Sequence, residues 1–158
     1  MFTYFVTATF LVCLLGVSEA LGERTSTELS QLQTDRTTIL QLVERFIGSW
    51  NHDDVMSFVD LFTDNGELVT SKGTSRSQEE IRRIITEKHP EIFFGTNLAE
   101  QVESIRVLDD AWVQVSGRFT LCCIPVLLGM EMSREGRFTL RLVEWNGEWK
   151  IERADIDS

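Results

Sequence analysis

The hydrophobic period of this chain changes once along its length. Ile39, Leu42, Val43, Phe46, Ile47 and Trp50 recur at helical spacing with polar residues between them. That spacing predicts an amphipathic helix of about four turns. Further on the period is two. Val113, Val115, Phe119 and Leu121 alternate with Gln114, Ser116, Arg118 and Thr120, and Phe138, Leu140 and Leu142 alternate with Thr139, Arg141 and Val143. Such alternation predicts strands with one buried face. Helices first and strands after is an α+β order, in which the helices must cover the apolar face of the sheet. We therefore expect an α+β fold: a cone-shaped, curved antiparallel β-sheet wrapped around an N-terminal helix set.

Local signals place the intervening elements. Asn51-His52-Asp53-Asp54 stops the first helix, and an acid there caps a short second helix carrying Val55, Phe58, Val59, Leu61 and Phe62. Asp64-Asn65-Gly66 reads as a turn before a short strand, Glu67 to Thr70. Ser77 and Glu80 form a capping box for a helix with Ile81, Ile84 and Ile85 on one face, ending before Pro90. Leu98 to Leu108 has a mixed pattern, Asp109-Asp110 turns the chain, and Cys122 to Arg134 reads as a long excursion at a rim or edge. Asn146-Gly147 is a two-residue hairpin turn, and Trp149 to Asp155 returns from it.

A chain of 158 residues and 18.1 kDa is the size of one domain. Its formal net charge of −10 argues against nucleic acid or an anionic membrane as partner, because both call for a basic patch. The first 17 residues carry no charged side chain and lead into Ser18-Glu19-Ala20, a small-x-small cleavage pattern. Residues 1–20 therefore read as a signal peptide, 21–34 as a polar leader and 35–158 as the folded domain, which implies secretion and no membrane attachment after cleavage. A spanning helix would need about 20 apolar residues. Cleavage takes away Cys13 and the one tyrosine, Tyr4. No Asn-x-Ser/Thr sequon follows.

The remaining cysteines, Cys122 and Cys123, are adjacent. On a regular strand they point to opposite faces, and a bridge between neighbours is strained. Two readings stay open: small buried hydrophobes, or an intermolecular bridge from the outward thiol. No phosphate-binding glycine loop, Cys/His metal spacing or dinucleotide fingerprint is present, so no cofactor is expected.

A resemblance rests on an ordered series of short motifs. These are Phe46-Ile47-Gly48-Ser49-Trp50-Asn51, then Leu61 through Val69 around Asp64-Asn65-Gly66, then Gly73 and Glu79-Glu80-Ile81-Arg82. Phe94-Gly95-Thr96, Gly136-Arg137-Phe138-Thr139-Leu140 and Asn146-Gly147-Glu148-Trp149-Lys150-Ile151 complete it. From Val43 to Asp155 the chain resembles the nuclear transport factor 2-like superfamily in its SnoaL-like branch. The resemblance implies a cone with a pocket, commonly dimeric, and not one activity, since the superfamily holds isomerases, dehydratases, cyclases and non-catalytic binders.

Candidate chemistry falls in three groups. By alternation from Trp149 and Ile151, Arg153 and Asp155 share the core face, where buried charges must pair or line a solvated cavity. The resembled branch often carries His where Asp155 stands. His52 and Asp53, beside Asp54, offer a proton-transfer pair or merely a helix cap. Trp50, Phe62, Phe93 and Phe94 line a pocket or fill the core. Trp112 and Trp145 fall on the polar parity of their strands, which suggests that the outer sheet face is covered by a second copy of the chain. The steroid-isomerase and dehydratase chemistries of the superfamily use tyrosine, and the folded domain has none. The expected function is a secreted domain binding a small, largely apolar molecule. The alternatives are a cofactor-independent cyclase or isomerase using an Asp/His proton-transfer group, and a structural dimerisation module.

Overall fold

The structure, a computed structural model, describes residues 35–108, 111–125 and 130–157. The expected signal peptide, the leader and the Asp109-Asp110 turn lie outside the described residues.

The helical period produces helix α1, residues 35–51, and the compact unit of the chain begins within it at Thr38. Its apolar stripe is buried: Leu42 is fully enclosed, and Ile39, Val43, Phe46 and Trp50 are nearly so. Helix α2 (Val55–Asp60) follows, its first turn closed by Asp54, whose Oδ1 accepts from the Ser57 amide at 3.0 Å. Ser77 caps α3 (Gln78–Arg83) as expected, while Glu80 bonds the amide one residue before the cap. Ser77 Oγ accepts from the Glu80 amide at 3.2 Å, and Glu80 reaches back to the Arg76 amide at 2.8 Å. Beyond Arg83 the helix widens into a π turn, Ile84–Lys88, and a single turn, α4 (Pro90–Phe93), starts at the proline. Pro90 lacks an amide proton, so it ends one helix and fits the first turn of the next.

The strands are β1 (Phe62–Thr70), β2 (Gly73–Ser75), β3 (Asn97–Val107), β4 (Trp112–Pro125), β5 (Glu131–Trp145) and β6 (Glu148–Asp157). They form one curved, open six-stranded sheet in the order β2-β1-β6-β5-β4-β3. Every pairing is antiparallel except β1 with β6, which is parallel because β6 returns beside β1 from the far side of the sheet. Residues read as an irregular excursion are largely strand: Ile124 and Pro125 pair with Met132 and Glu131. The helices cover the inner face, where Val113, Val115, Phe119, Leu121, Leu140, Leu142 and Ile151 meet Phe46, Phe58 and Phe62 in one core. Full burial of one such side chain stabilises by about 1.5–3 kcal/mol.

Two of the register shifts in the sheet decide where candidate residues fall. In β6, Leu142 pairs with Ile151 but Arg141 pairs with Arg153, so Glu152 is an extra residue. This bulge resets the faces: Ile151 and Ala154 are fully buried, while Arg153 and Asp155 turn to the opposite side. The expectation that Arg153 and Asp155 share the face of Ile151 is thereby corrected. Among the described residues, Glu152 Oε2 is buried without a hydrogen-bond partner. The second irregularity sets Cys122 and Cys123 against Ser133 alone, between the pairs Leu121–Arg134 and Ile124–Met132. Cys123 adopts a φ of 65° there.

Candidate functional site: a pocket between helix α1 and the sheet

A cavity of about 100 Å³ opens between α1 and the inner face of the sheet. Helix α1 contributes Phe46 and Trp50, the π turn Ile84 and Ile85, α4 Phe93, and the sheet Leu68, Leu98, Phe119, Leu121, Phe138, Leu140 and Ile156. The wall is apolar because each contributing strand turns its hydrophobic parity inward. Polar lining comes from Thr70, Ser71, Lys72, His89, Glu100 and Arg134, all at least partly exposed, so these groups sit where the cavity meets solvent. His89 Nδ1 lies 3.4 Å from Glu91 Oε1.

The wall is fixed by hydrogen bonds at the end of α1. Trp50 Nε1 donates to Thr96 Oγ1 at 3.0 Å, and Thr96 Oγ1 donates in turn to the Phe93 carbonyl at 3.1 Å. Asn51 bonds both backbone groups of Leu98, accepting from its amide at 2.7 Å and donating to its carbonyl at 2.9 Å. These contacts hold the helix to the start of β3. The rings of Trp50 and Phe93 pack with centroids 4.8 Å apart, and Phe58 packs edge-on against both.

Of the residues expected from sequence, Trp50 and Phe93 line this cavity. Phe62 lies fully in the core against Phe46 and Phe58, and Phe94 is partly exposed beside Phe93. His52, Asp53, Arg153 and Asp155 are absent from the lining. His52 is exposed, its Nδ1 2.6 Å from the Gly48 carbonyl at the last turn of α1. Asp53 takes a φ of 56° just past the helix, and its Oδ1 accepts from the Gly95 amide at 3.2 Å. Asp54 serves as the cap of α2; its carboxyl is held below the ordinary range chiefly by the Ser57 hydrogen bonds.

Arg153 and Asp155 belong to a separate ion cluster on the outer face. The Arg153 guanidinium donates to both Asp155 oxygens, from Nε at 2.9 Å and from Nη2 at 2.8 Å, and from Nη1 to Glu67 Oε2 at 2.6 Å. Arg76 approaches the other Glu67 oxygen at 3.4 Å. Asp155 first, and Glu67 after it, hold the guanidinium more firmly protonated than usual.

Four ionisable pocket residues escaped the sequence reading. His89 follows Ile81 and Ile85 at intervals of four, which is a legible helical signal. Glu100 follows Leu98 by two on β3, so alternation alone places it inward. Arg134 is opposite Leu121, and Lys72 lies in the tight turn between β1 and β2; neither follows from local pattern.

The sequence profile of the SnoaL-like domain matches residues 31–155, the great majority of the chain. The chain belongs to the SnoaL-like domain family. Solved structures agree with this SnoaL-like fold. LinA superposes with a TM-score of 0.71 at 15% identity, covering 82% of this chain and 88% of its own. An NTF2-like protein with a cystatin-like fold from Novosphingobium aromaticivorans gives 0.67 at 15% identity, covering 83% and 86%. An NTF-2-like protein of unknown function from Shewanella oneidensis MR-1 gives 0.64 at 18% identity, covering 78% and 99%. At such identities the likeness speaks for the fold alone. No curated protein sequence matches it. Among the described residues of the domain, no group of His, Cys, Asp and Glu is arranged to hold a metal ion, and no helix is long and apolar enough to cross a membrane.

Proposed function

We propose that this SnoaL-like domain binds a small, largely apolar molecule in the pocket beneath α1. The observation that carries the reading is the division of the lining: an apolar, aromatic wall inside and polar groups only at the opening. A cavity of about 150 Å³ lined by Leu, Ile and Phe stays dry and accepts a single aromatic ring. The present cavity is of that order, and Lys72, His89 and Glu100 at its mouth suit one polar substituent on such a ligand. Native mass spectrometry of the purified protein, followed by identification of any retained small molecule, tests this directly. Ile84→Trp fills the cavity from its half-buried edge. The proposal expects that variant to lose the ligand while keeping its melting temperature within a few degrees, and retention of the ligand would count against the pocket.

A second reading has its own observation. His89 lines the cavity with Glu91 at ion-pair range, an arrangement suited to a cofactor-independent isomerase or cyclase that moves a proton with His89. The roles first given to Asp155, Arg153, His52 and Asp53 would then pass to this pair. His89→Gln tests the second reading: an enzyme of this kind loses turnover in that variant, and unchanged turnover would count against it.

We also retain as proposals a homodimer through the outer sheet face and secretion after cleavage at Ala20. Trp145 is 55% exposed on that face and supports the first. A monomer in analytical ultracentrifugation at micromolar concentration argues against it. An N-terminus at Leu21 in exported protein supports the second.

A further inference from the structure

The irregularity in β4 puts two thiols where regular pleating would separate them. Cys122 and Cys123 face Ser133 alone, and the chain between them turns through the left-handed backbone of Cys123, at φ 65°. The result is that both half-buried side chains lie on one side of the strand, with Sγ atoms 2.9 Å apart and both thiols free. A non-glycine residue in that backbone region is strained, and strain of this kind concentrates where structure serves a purpose. The sulfurs need approach by only about 0.9 Å to reach disulfide bonding distance. The backbone twist that ordinarily opposes a bridge between neighbours is already present in the reduced chain.

We propose that Cys122 and Cys123 form a reversible disulfide with each other, a modification site at the pocket rim one residue beyond the lining residue Leu121. The oxidant is a low-molecular-weight disulfide such as glutathione disulfide. The Cys122 thiolate attacks one glutathione sulfur and expels one glutathione thiolate, leaving a mixed disulfide on Cys122. The Cys123 thiol then loses its proton and attacks the Cys122 sulfur, expelling the second glutathione thiolate. Two cysteine thiols are oxidised and one glutathione disulfide is reduced to two thiols. This order suits the local electrostatics. The hydrogen bond shared with Cys122, and after it desolvation, push the Cys123 thiol above its ordinary range, which makes it the poorer first nucleophile.

The chain offers a clean readout. Trypsin releases Phe119 to Arg134 as one peptide containing both cysteines and no other. The full-length protein is challenged with glutathione disulfide, blocked with iodoacetamide under denaturing conditions without reductant, digested and weighed. The proposal expects this peptide lighter by two hydrogens, with no alkyl group, and doubly alkylated after prior dithiothreitol. Two alkylated cysteines after the challenge, a stable glutathione adduct, or a peptide linked to a second chain would each overturn it. Cys123→Gly keeps the left-handed backbone without strain. In that variant Cys122 should stop at the glutathione adduct, and an unmodified Cys122 would overturn the order of attack.

Discussion

Arg153 Nη1 donates to Glu67 Oε2 at 2.6 Å, joining the parallel strands β1 and β6 on the face turned away from the pocket. The same guanidinium grips Asp155, so both carboxylates serve one arginine outside the cavity.

For Asp155→Asn the expected effect is therefore small. The pair is more than a third exposed on both sides, and ion pairs of that kind contribute about 0–1 kcal/mol. Urea unfolding should show a loss within that range, and affinity for any pocket ligand should be unchanged. A large loss of binding at intact stability would return Asp155 to the site.

Trp50→Phe keeps a ring in the wall but removes the buried indole donor to Thr96. A lost neutral hydrogen bond of this type costs about 1 kcal/mol. Denaturant titration should find a destabilisation of that order. An unchanged midpoint would mean that the bond to Thr96 does not hold α1 against the turn before β3.

Gly117→Ala should be more severe. A Cβ at this position of β4 would overlap the Gln101 carbonyl oxygen and come within 2.9 Å of the Phe138 ring. Overpacking of this sort costs about 1–3 kcal/mol. Adding Phe138→Leu should recover only part of the loss, because the ring can retreat and the backbone carbonyl cannot. Full recovery in the double variant would show that the ring clash alone was responsible.

The cap at α2 predicts a pH dependence. The Ser57 hydrogen bonds lower the Asp54 pKa in the folded state. A depressed carboxylate contributes stability above its unfolded value of about 3.9 and loses it as pH falls through the lower folded value. Asp54→Asn retains an acceptor but does not titrate. Urea midpoints followed through that acid window should fall more steeply for the parent chain than for the variant; identical slopes would remove Asp54 from the account.

What was legible in the sequence was what neighbours in the chain decide. Ser77 and Glu80 cap a helix three residues apart, Asp54 caps another, and Asn146-Gly147 closes a hairpin; each uses only local backbone groups. Helical and strand periods gave the fold class for the same reason. Arg153 and Asp155 were assigned to the wrong face because the extra residue at Glu152 exists only relative to two neighbouring strands. The cysteines likewise left regular alternation through a pairing with β5 that lies far along the chain. His89 had a readable signal, an interval of four from Ile85, that passes through a π turn rather than a regular helix. Arg134 reaches the pocket mouth through its register with Leu121, a relation no local pattern encodes.

The extra residue in β6 also has an evolutionary consequence. Because the bulge absorbs Glu152, every side chain after it keeps the face it would have in a strand one residue shorter, and only an insertion that is not absorbed would make the faces trade places without any change of side-chain identity. Removing Glu152 from the gene would restore regular pairing and leave Arg153 and Asp155 on the outer face, whereas one further residue inserted without a second bulge would direct them toward the cavity and Ala154 and Ile156 toward solvent. A lineage could thus bring an acidic group into the pocket by one inserted residue, while deletion at Glu152 would leave every address as it is and point substitutions along β6 would only exchange residues at addresses already assigned.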